Sequence, residues 1–428
     1  MLRHVFLVLI CVAWIEFGIH FSPQIEEISR QFLAKKLPVA HDPGRMLLQN
    51  EEEHSRLLRT LERSSGKWDH SHPRYRLLTA LHGFTQYHNA TQSELNRWRN
   101  LYKKTPQQQR LLLKSAINYT GKLKRAEKLL EANAKVAQSI AQAGLQFYNI
   151  TLSELDEFIK KAEAEGRRAD RTSVSQSMKH FVRDWAEEGH TERQESFPCI
   201  LKSLSLISRT DDKPLRILLP GAGLGRLAHE IHKLGGFDVV MNEWSAYMNL
   251  AYRYISTRSK PQSITFHPFA DWWSHQATTA DLERPVTFPD QLSDPSVVLI
   301  EGDFTTTFAE QTGQYDLIVT LFFIDTARNL VSYIENIHRL LRPGGRWINL
   351  GPLMYGTAPF VQLSLDEIFK LGTRIGFDFQ ETDDTAGNIT IPGLPIRGFE
   401  VAYGRNPRGL NKNAFQAQYW EAVKPMPV

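Results

Sequence analysis

Residues 216–226 constrain the fold of this chain more than any other stretch; they read Arg-Ile-Leu-Leu-Pro-Gly-Ala-Gly-Leu-Gly-Arg. An apolar run at 217–219 ends in three alternating glycines, and a segment of helical composition follows at 227–234. Glycines let the backbone turn sharply and let a ligand approach it, and the helix that follows directs unpaired N–H groups to the same place. The stretch predicts a strand, a ligand-binding turn and a helix, with a purely structural turn as the alternative.

The spacing of Gly221, Gly223 and Gly225 distinguishes two kinds of nucleotide-binding loop. The dinucleotide fingerprint is G-x-G-x-x-G, whereas these glycines run G-x-G-x-G and Arg226 occupies the third fingerprint position. This departure disfavours an NAD-linked oxidoreductase. The observed variant is similar to the S-adenosylmethionine loop of class I methyltransferases.

Acidic residues follow the next two predicted strands. Glu243 closes the apolar run 237–243 at about the offset from the glycines that a ribose-binding carboxylate requires. A third strand, 296–300, leads to Asp303 and Phe304, positions that bracket the adenine in class I methyltransferases. The alternatives are a solvated strand-end acid at 243, and a turn aspartate followed by a core phenylalanine.

A fourth apolar segment, 315–325, has the composition of a parallel strand buried on both faces. Leu321 in this segment is expected to contact the cofactor, and Asp325 closes it where open α/β sheets place their chemistry. A helix at 329–341 and a strand at 346–350 follow. Together these features predict an α/β fold of the Rossmann-like class I methyltransferase type, with a mostly parallel sheet.

Several longer strings resemble carnosine N-methyltransferase and its N2227-like relatives. The resemblance implies methyl transfer from S-adenosylmethionine to an imidazole nitrogen of a histidine-containing dipeptide, such as carnosine (giving anserine), or of a related small molecule. A module that binds the cofactor but has lost catalysis is the alternative. The strings are 181–197 (FVRDWAEEGHTERQESF), 219–227 (LPGAGLGRL), 242–245 (NEWS), 322–327 (FFIDTA), 343–345 (PGG) and 347–355 (WINLGPLMY).

The resemblance also implies roles for individual residues. Arg183, in a helical segment at 174–188, would hold the methionine carboxylate; a surface pair with Glu187 is the alternative. His180 stands where the family often has Gln, and could still form a hydrogen bond to the cofactor. The remaining cofactor contacts implied are Gly221, Glu243, Asp303 and Phe304, with Gly223 and Gly225 completing the loop.

Asp325 matches the family's substrate-facing acid, which would accept a hydrogen bond from one ring N–H and leave the other nitrogen free to react. A helix N-cap is the alternative for Asp325, although Thr326 and Asn329 could cap instead. Tyr355 is predicted to touch substrate or, equally, to pack. The chain departs from the family at Gly356, where carnosine methylating members carry His, and in the strand 398–403, which lacks a tyrosine pair.

Composition limits the partners of this chain. It has 428 residues, 42% hydrophobic and 23% charged, which suits a folded body with an ample core. A net charge of +4 without a dense Lys/Arg tract gives no indication of nucleic-acid binding. The two cysteines exclude a disulfide framework, and no spacing suggests a metal site.

The organisation along the chain is predicted as follows. A closing β-hairpin is expected from 377–382 and 397–403. The apolar N-terminal segment reads as a signal, an anchor or neither, with membrane association through 5–21 and a homodimer left open; the resemblance favours the cytoplasm or nucleus. The predicted segments are 1–22 (apolar), 45–170 (helical domain), 171–405 (methyltransferase domain) and 406–428 (loosely ordered tail).

Overall fold

A nine-stranded sheet dominates the second half of the chain, in the order β5-β2-β1-β6-β7-β11-β10-β9, with β8 paired beside β11. Five neighbouring strands, in the order β5-β2-β1-β6-β7, run parallel to one another. Strands β11 and β10 are antiparallel to their neighbours. A separate pair, β3 and β4, is antiparallel. The strands are β1 (Leu215–Pro220), β2 (Phe237–Glu243), β3 (Ile264–Phe266), β4 (Val286–Phe288), β5 (Val298–Glu301), β6 (Tyr315–Leu321), β7 (Leu341–Gly351), β8 (Asp378–Gln380), β9 (Asn388–Ile389), β10 (Arg397–Ala402) and β11 (Ala414–Val423).

The computed structural model describes residues 43–207, 213–356, 358–404 and 406–427. The predicted apolar segment 1–22 lies outside them. Within these ranges eight helices precede the sheet and six more lie within or beside the sheet region. They are α1 (Pro43–Thr60), α2 (Pro73–Thr85), α3 (Tyr87–Lys103), α4 (Gln107–Ile117), α5 (Tyr119–Phe147), α6 (Leu152–Ala164), α7 (Arg171–Trp185), α8 (His190–Leu206), α9 (Arg226–Lys233), α10 (Ala246–Ser256), α11 (Thr279–Glu283), α12 (Phe304–Thr307), α13 (Leu330–Leu340) and α14 (Leu365–Ile375).

The composition of the parallel strands explains their central position. All seven residues of β2 are buried, and β6 is buried over most of its length. Strands that are apolar on both faces need a cover on each side, as parallel sheets in α/β proteins have. The mostly parallel sheet, its antiparallel closing hairpin and the helical N-terminal region confirm the fold class predicted from the sequence.

The closing hairpin, however, is formed by β10 and β11 rather than by the segments 377–382 and 397–403. The prediction of a loosely ordered tail at 406–428 is wrong, because β11 inserts between β7 and β10. Both faces of β11 are buried: Ala417 and Tyr419 join one side of the core, and Trp420 and Ala422 join the other.

The N-terminal helices are tied to the sheet by polar contacts as well as by a shared apolar core. The Tyr148 hydroxyl at the end of α5 donates to the Glu301 carboxylate of β5 at 2.9 Å. Arg253 of α10 donates to the same carboxylate at 2.8 Å. The predicted boundary between 170 and 171 stays a prediction.

Over the described ranges, no helix combines the length and the apolar character that crossing a bilayer requires.

Candidate active site

The glycine loop between β1 and α9 has the backbone conformation that its sequence predicts. Gly221, Gly223 and Gly225 all have positive φ values, of 64°, 57° and 76°. A Cβ atom at Gly221 would lie 2.2 Å from the Phe323 ring, and one at Gly225 would lie 2.6 Å from the Met241 sulfur. Glycine is therefore required at 221 and 225 by space as well as by backbone conformation.

Three amides of this loop already donate within the protein. Ala222 N–H donates to the Asn242 carbonyl at 3.0 Å, and Gly225 N–H donates to the Ala222 carbonyl at 2.9 Å. Gly223 N–H donates to Oε2 of Glu243 at 2.8 Å. A loop whose amides are committed in this way is a poor cradle for a phosphate, which agrees with the departure from the dinucleotide fingerprint.

Glu243 lies at the carboxyl end of β2, beside the loop. It is 9% exposed, and its Oε1 accepts from Ser245 N–H at 2.7 Å. Burial raises the pKa of Glu243, while the amides of Ser245 and Gly223 oppose that shift. Each carboxylate oxygen can accept a second hydrogen bond, so the group keeps acceptor capacity for a ribose diol.

Arg76 of α2 reaches the same strand end, and sequence reasoning missed it. Its guanidinium lies 3.7 Å from the centre of the Trp244 ring and donates to the Trp244 carbonyl. Burial lowers the pKa of Arg76 to about 10, although Asp303 and Glu243 act in the opposite direction. No local sequence signal could identify it, because Arg76 is 168 residues from Trp244.

Asp303 and Phe304 follow β5, as expected, but face different surroundings. Asp303 is exposed and caps α12, its Oδ1 accepting from Thr305 N–H at 2.8 Å. Phe304 is 3% exposed and packs edge-on against Phe323 and Tyr333, with both ring-centre distances 5.5 Å. The Asp303 carboxylate can meet a ligand, whereas the packing of the Phe304 ring matches the core alternative.

Arg183 lies in the last turn of α7. Its Nε is 3.4 Å from Asp184 Oδ1 and 3.4 Å from Glu192 Oε1. The alternative of a helical pair with Glu187 does not fit, because α7 ends at Trp185. Burial by itself lowers the pKa of Arg183, but Asp184, Tyr403 and Glu192 outweigh it and raise the pKa.

Two aromatic rings accompany Arg183. Its guanidinium lies 4.6 Å from the centre of the Tyr403 ring, and that ring is 4.8 Å from Phe322. Phe322, directly after β6, has a positive φ of 51°, which strains a non-glycine residue. Tyr403 is the last residue of the segment 398–403, which lacks the family's tyrosine pair, so a single tyrosine does reach Arg183 from there.

Arg226 connects two of the strings that resemble the family, 181–197 and 219–227. Its buried guanidinium donates to Asp290 at 2.6 Å and to the Asp184 carbonyl at 2.8 Å. The Trp185 indole donates to the Leu224 carbonyl at 2.8 Å. The end of α7 is thereby fixed against the glycine loop, and the residue that broke the dinucleotide fingerprint is structural here.

Asp325 lies in a 3-10 turn, Ile324–Thr326, four residues beyond Leu321 at the end of β6. It is 5% exposed, and its Oδ2 accepts from Met354 N–H at 2.9 Å. The N-cap of α13 is Asn329, so the capping alternative for Asp325 does not fit. Burial raises the pKa of Asp325.

The Tyr355 hydroxyl is used by the protein itself. It donates to the Leu363 carbonyl at 2.6 Å and accepts from Leu363 N–H at 3.0 Å. This geometry favours the packing alternative for Tyr355. Gly356 is exposed, and a Cβ atom there would meet nothing within 4 Å among the described residues.

The carboxyl ends of β1, β2, β5 and β6 thus carry a glycine loop, a buried acid with spare acceptor capacity, an exposed acid and a second buried acid, with Arg183 alongside. These groups fit S-adenosylmethionine, which has a ribose diol, an adenine amine and a zwitterionic amino-acid end. The fold and this set of groups define a class I S-adenosylmethionine-dependent methyltransferase.

Comparison with known proteins specifies the family. The carnosine N-methyltransferase family model matches residues 160–426. Curated relatives named carnosine N-methyltransferase include a Mus musculus protein, 30% identical over 74% of this chain and 81% of its own length. A Rattus norvegicus protein of that name is 29% identical over 88% and 92%, and one from Schizosaccharomyces pombe is 28% identical over 72% and 84%. The chain belongs to the carnosine N-methyltransferase family.

Proposed function

We propose that this chain methylates an imidazole nitrogen of a small histidine-containing dipeptide such as carnosine. The observation that carries the proposal is the buried Asp325 carboxylate, held beyond the carboxyl end of β6 and not used as a helix cap. A neutral imidazole has an N–H at one ring position and a lone pair at the other. A carboxylate that accepts from the N–H therefore orients the second nitrogen as the nucleophile.

The cofactor roles follow from the chemistry of each group. S-adenosylmethionine supplies an electrophilic methyl group when it is bound. Glu243 would accept from the ribose hydroxyls, and Asp303 from the adenine amine. Arg183 would bind the methionine carboxylate. The proposal also keeps these cofactor contacts: His180, Gly221, Gly223, Gly225, Phe304 and Leu321.

Asp325 would act in two ways. Met354 N–H holds Oδ2, which fixes the carboxylate and leaves Oδ1 to accept from the substrate N–H. Positive charge develops on the ring as the new C–N bond forms, and a fixed carboxylate that is hydrogen-bonded to the ring stabilises this charge. Tyr355, bonded to Leu363, would act as a positioning residue for the loop that carries Met354.

The test is transfer of isotope-labelled methyl from S-adenosylmethionine to carnosine, histidine and a histidine-containing peptide. Asp325→Asn should lower kcat by about 100-fold or more, while the Kd for S-adenosylhomocysteine stays within about threefold of the unmutated protein. Asp366→Asn, an exposed carboxylate on α14, is the control and should leave both values unchanged.

Two results would count against the proposal. Full turnover by Asp325→Asn would remove this residue from the mechanism. Cofactor binding without label on any imidazole would favour the catalytically diverged module, an alternative that the glycine at 356 supports.

The proposal implies a setting in the cytoplasm or nucleus, where S-adenosylmethionine is made. Membrane association, which the sequence leaves open, concerns residues 5–21, and these lie outside the described residues.

A further inference from the structure

The carboxylate of Asp184 also faces the glycine loop, and none of the cofactor contacts proposed above involves it. Asp184 is 5% exposed. Its Oδ2 lies 4.0 Å from the position that a Cβ atom would take at Gly223. Apart from Gly223 and its two neighbours in the chain, the described residues place no other atom within 4 Å of that position. Asp184 therefore borders the loop at its open position, Gly223. Gly221 and Gly225, by contrast, are packed against core side chains.

The basic side chains around Asp184 are close to it, but their distances are longer than those of ideal hydrogen bonds. Arg183 Nε is 3.4 Å from Oδ1, and His180 Nδ1 is 3.6 Å from Oδ2. Both distances exceed those of a normal charge-assisted hydrogen bond. Within the described ranges, His180 Nδ1 is itself buried without a hydrogen-bond partner.

The ionisation of Asp184 agrees with an ionic role. Burial by itself raises the pKa of this carboxyl, but Arg183 and His180 outweigh burial and lower it. A buried carboxylate with only loose partners is costly to maintain. A cationic ligand group would offset that cost.

Asp184 lies beside Gly223, and the Nε of the adjacent Arg183 is 3.4 Å from the Asp184 carboxylate. One positive and one negative group therefore lie together, which is the pattern that an amino-acid zwitterion requires. Strand β1, which leads into the loop, reads Leu-Arg-Ile-Leu-Leu-Pro and contributes no acid of its own. We propose that Asp184 is a cofactor-binding residue that accepts a hydrogen bond from the methionine ammonium group of S-adenosylmethionine. The inference deepens the proposed function and depends on cofactor binding at this site.

The experiment compares ligands that differ at the amino-acid end. The Kd values of S-adenosylhomocysteine, which has the ammonium group, and 5′-methylthioadenosine, which lacks the whole amino-acid end, are measured by calorimetry on the full chain. Asp184→Asn should weaken S-adenosylhomocysteine by about tenfold or more and change 5′-methylthioadenosine by less than about twofold.

Asp271→Asn is a matched control. The Asp271 side chain is 8% exposed, against 7% for Asp184, and it is also held by loose cation contacts, Lys179 at 3.5 Å and Arg171 at 3.8 Å. It should bind both ligands as the unmutated protein does.

The possible results distinguish failure of the ammonium contact from failure of the whole cofactor site. An unchanged Kd for S-adenosylhomocysteine in Asp184→Asn, or an equal loss for both ligands, would overturn the ammonium contact. If the unmutated protein binds neither ligand, the cofactor site fails as well. Should Asp184→Asn unfold at the assay temperature, the unmutated protein decides: an S-adenosylhomocysteine analogue lacking only the amino group should bind about tenfold more weakly, and equal binding overturns the inference.

Discussion

The backbone N–H of Gly223 donates to Oε2 of Glu243 at 2.8 Å, so the glycine loop and the acid at the end of β2 form one hydrogen-bonded unit. The same carboxylate accepts from Ser245 N–H through Oε1. A residue assigned to the ribose therefore also holds the loop on which the cofactor would lie. Loss of its charge should affect both.

Glu243→Gln is expected to raise the Kd for S-adenosylhomocysteine by about tenfold or more, because an amide NH₂ cannot accept from the N–H groups that the lost oxygen served. Calorimetry measures this value. Glu400→Gln on β10 changes an exposed carboxylate in the same way and should have no effect. An unchanged Kd in Glu243→Gln would exclude the ribose role.

Gly221→Ala should destabilise the protein by at least about 2 kcal/mol, since the new Cβ would meet the buried Phe323 ring and φ is positive. Gly356→Ala is the matched change at an open position and should stay within about 0.5 kcal/mol of the unmutated protein. Free energies of unfolding from denaturant titration test both. Similar values for the two variants would contradict the tight packing at Gly221.

Asp290 balances two buried guanidinium groups. It accepts from Arg226 at 2.6 Å and from Arg193 at 2.9 Å. Asp290→Asn would leave these cations without their anion, and a loss of about 3 kcal/mol or more is expected. Asp383→Asn breaks an exposed pair with Lys202 and should cost at most about 1 kcal/mol. The difference in unfolding free energy between the variants is the measurement, and equal losses would contradict the assignment.

The parts of the site that the sequence predicted are those with local signals. Glycine is required at positions 221 and 225, which lie within a few residues of the end of β1. Glu243 and Asp325 each lie at the end of an apolar run. Such patterns involve residues that are close together in the chain, so a single sequence is enough to recognise them.

Other parts depend on packing between distant segments. β11 was missed because it is buried on both faces and pairs with β7, whose matching residues lie about seventy positions earlier in the chain. Arg76 reaches Trp244 from the N-terminal helices, and Asp184 is directed to Gly223 by the contact between α7 and the loop. The sequence around each of these two residues reads as an ordinary helix, so only the folded structure reveals the contact.

His229 of α9 makes the stability of this region dependent on pH. It is 2% exposed, its Nδ1 accepts from Asp294 N–H at 3.1 Å, and its Nε2 lies 3.0 Å from the Tyr252 hydroxyl. Burial lowers the pKa of His229 to about 3, from an ordinary value of 6.5. Between these values the unfolded chain binds a proton at this position and the folded protein does not. The contribution of neutral His229 is therefore fully present above pH 6.5 and is lost progressively as the pH falls towards 3.

Between pH 7 and pH 5 the unmutated protein should lose about 2 kcal/mol more stability than His229→Gln, because each pH unit below 6.5 costs up to about 1.4 kcal/mol. Denaturant unfolding at the two pH values measures the difference, and it cancels the contributions of other groups. His88→Gln, at an exposed position of α3, should behave as the unmutated protein does. If His229→Gln lost the same stability between pH 7 and pH 5 as the unmutated protein, His229 would not be the buried neutral group described here.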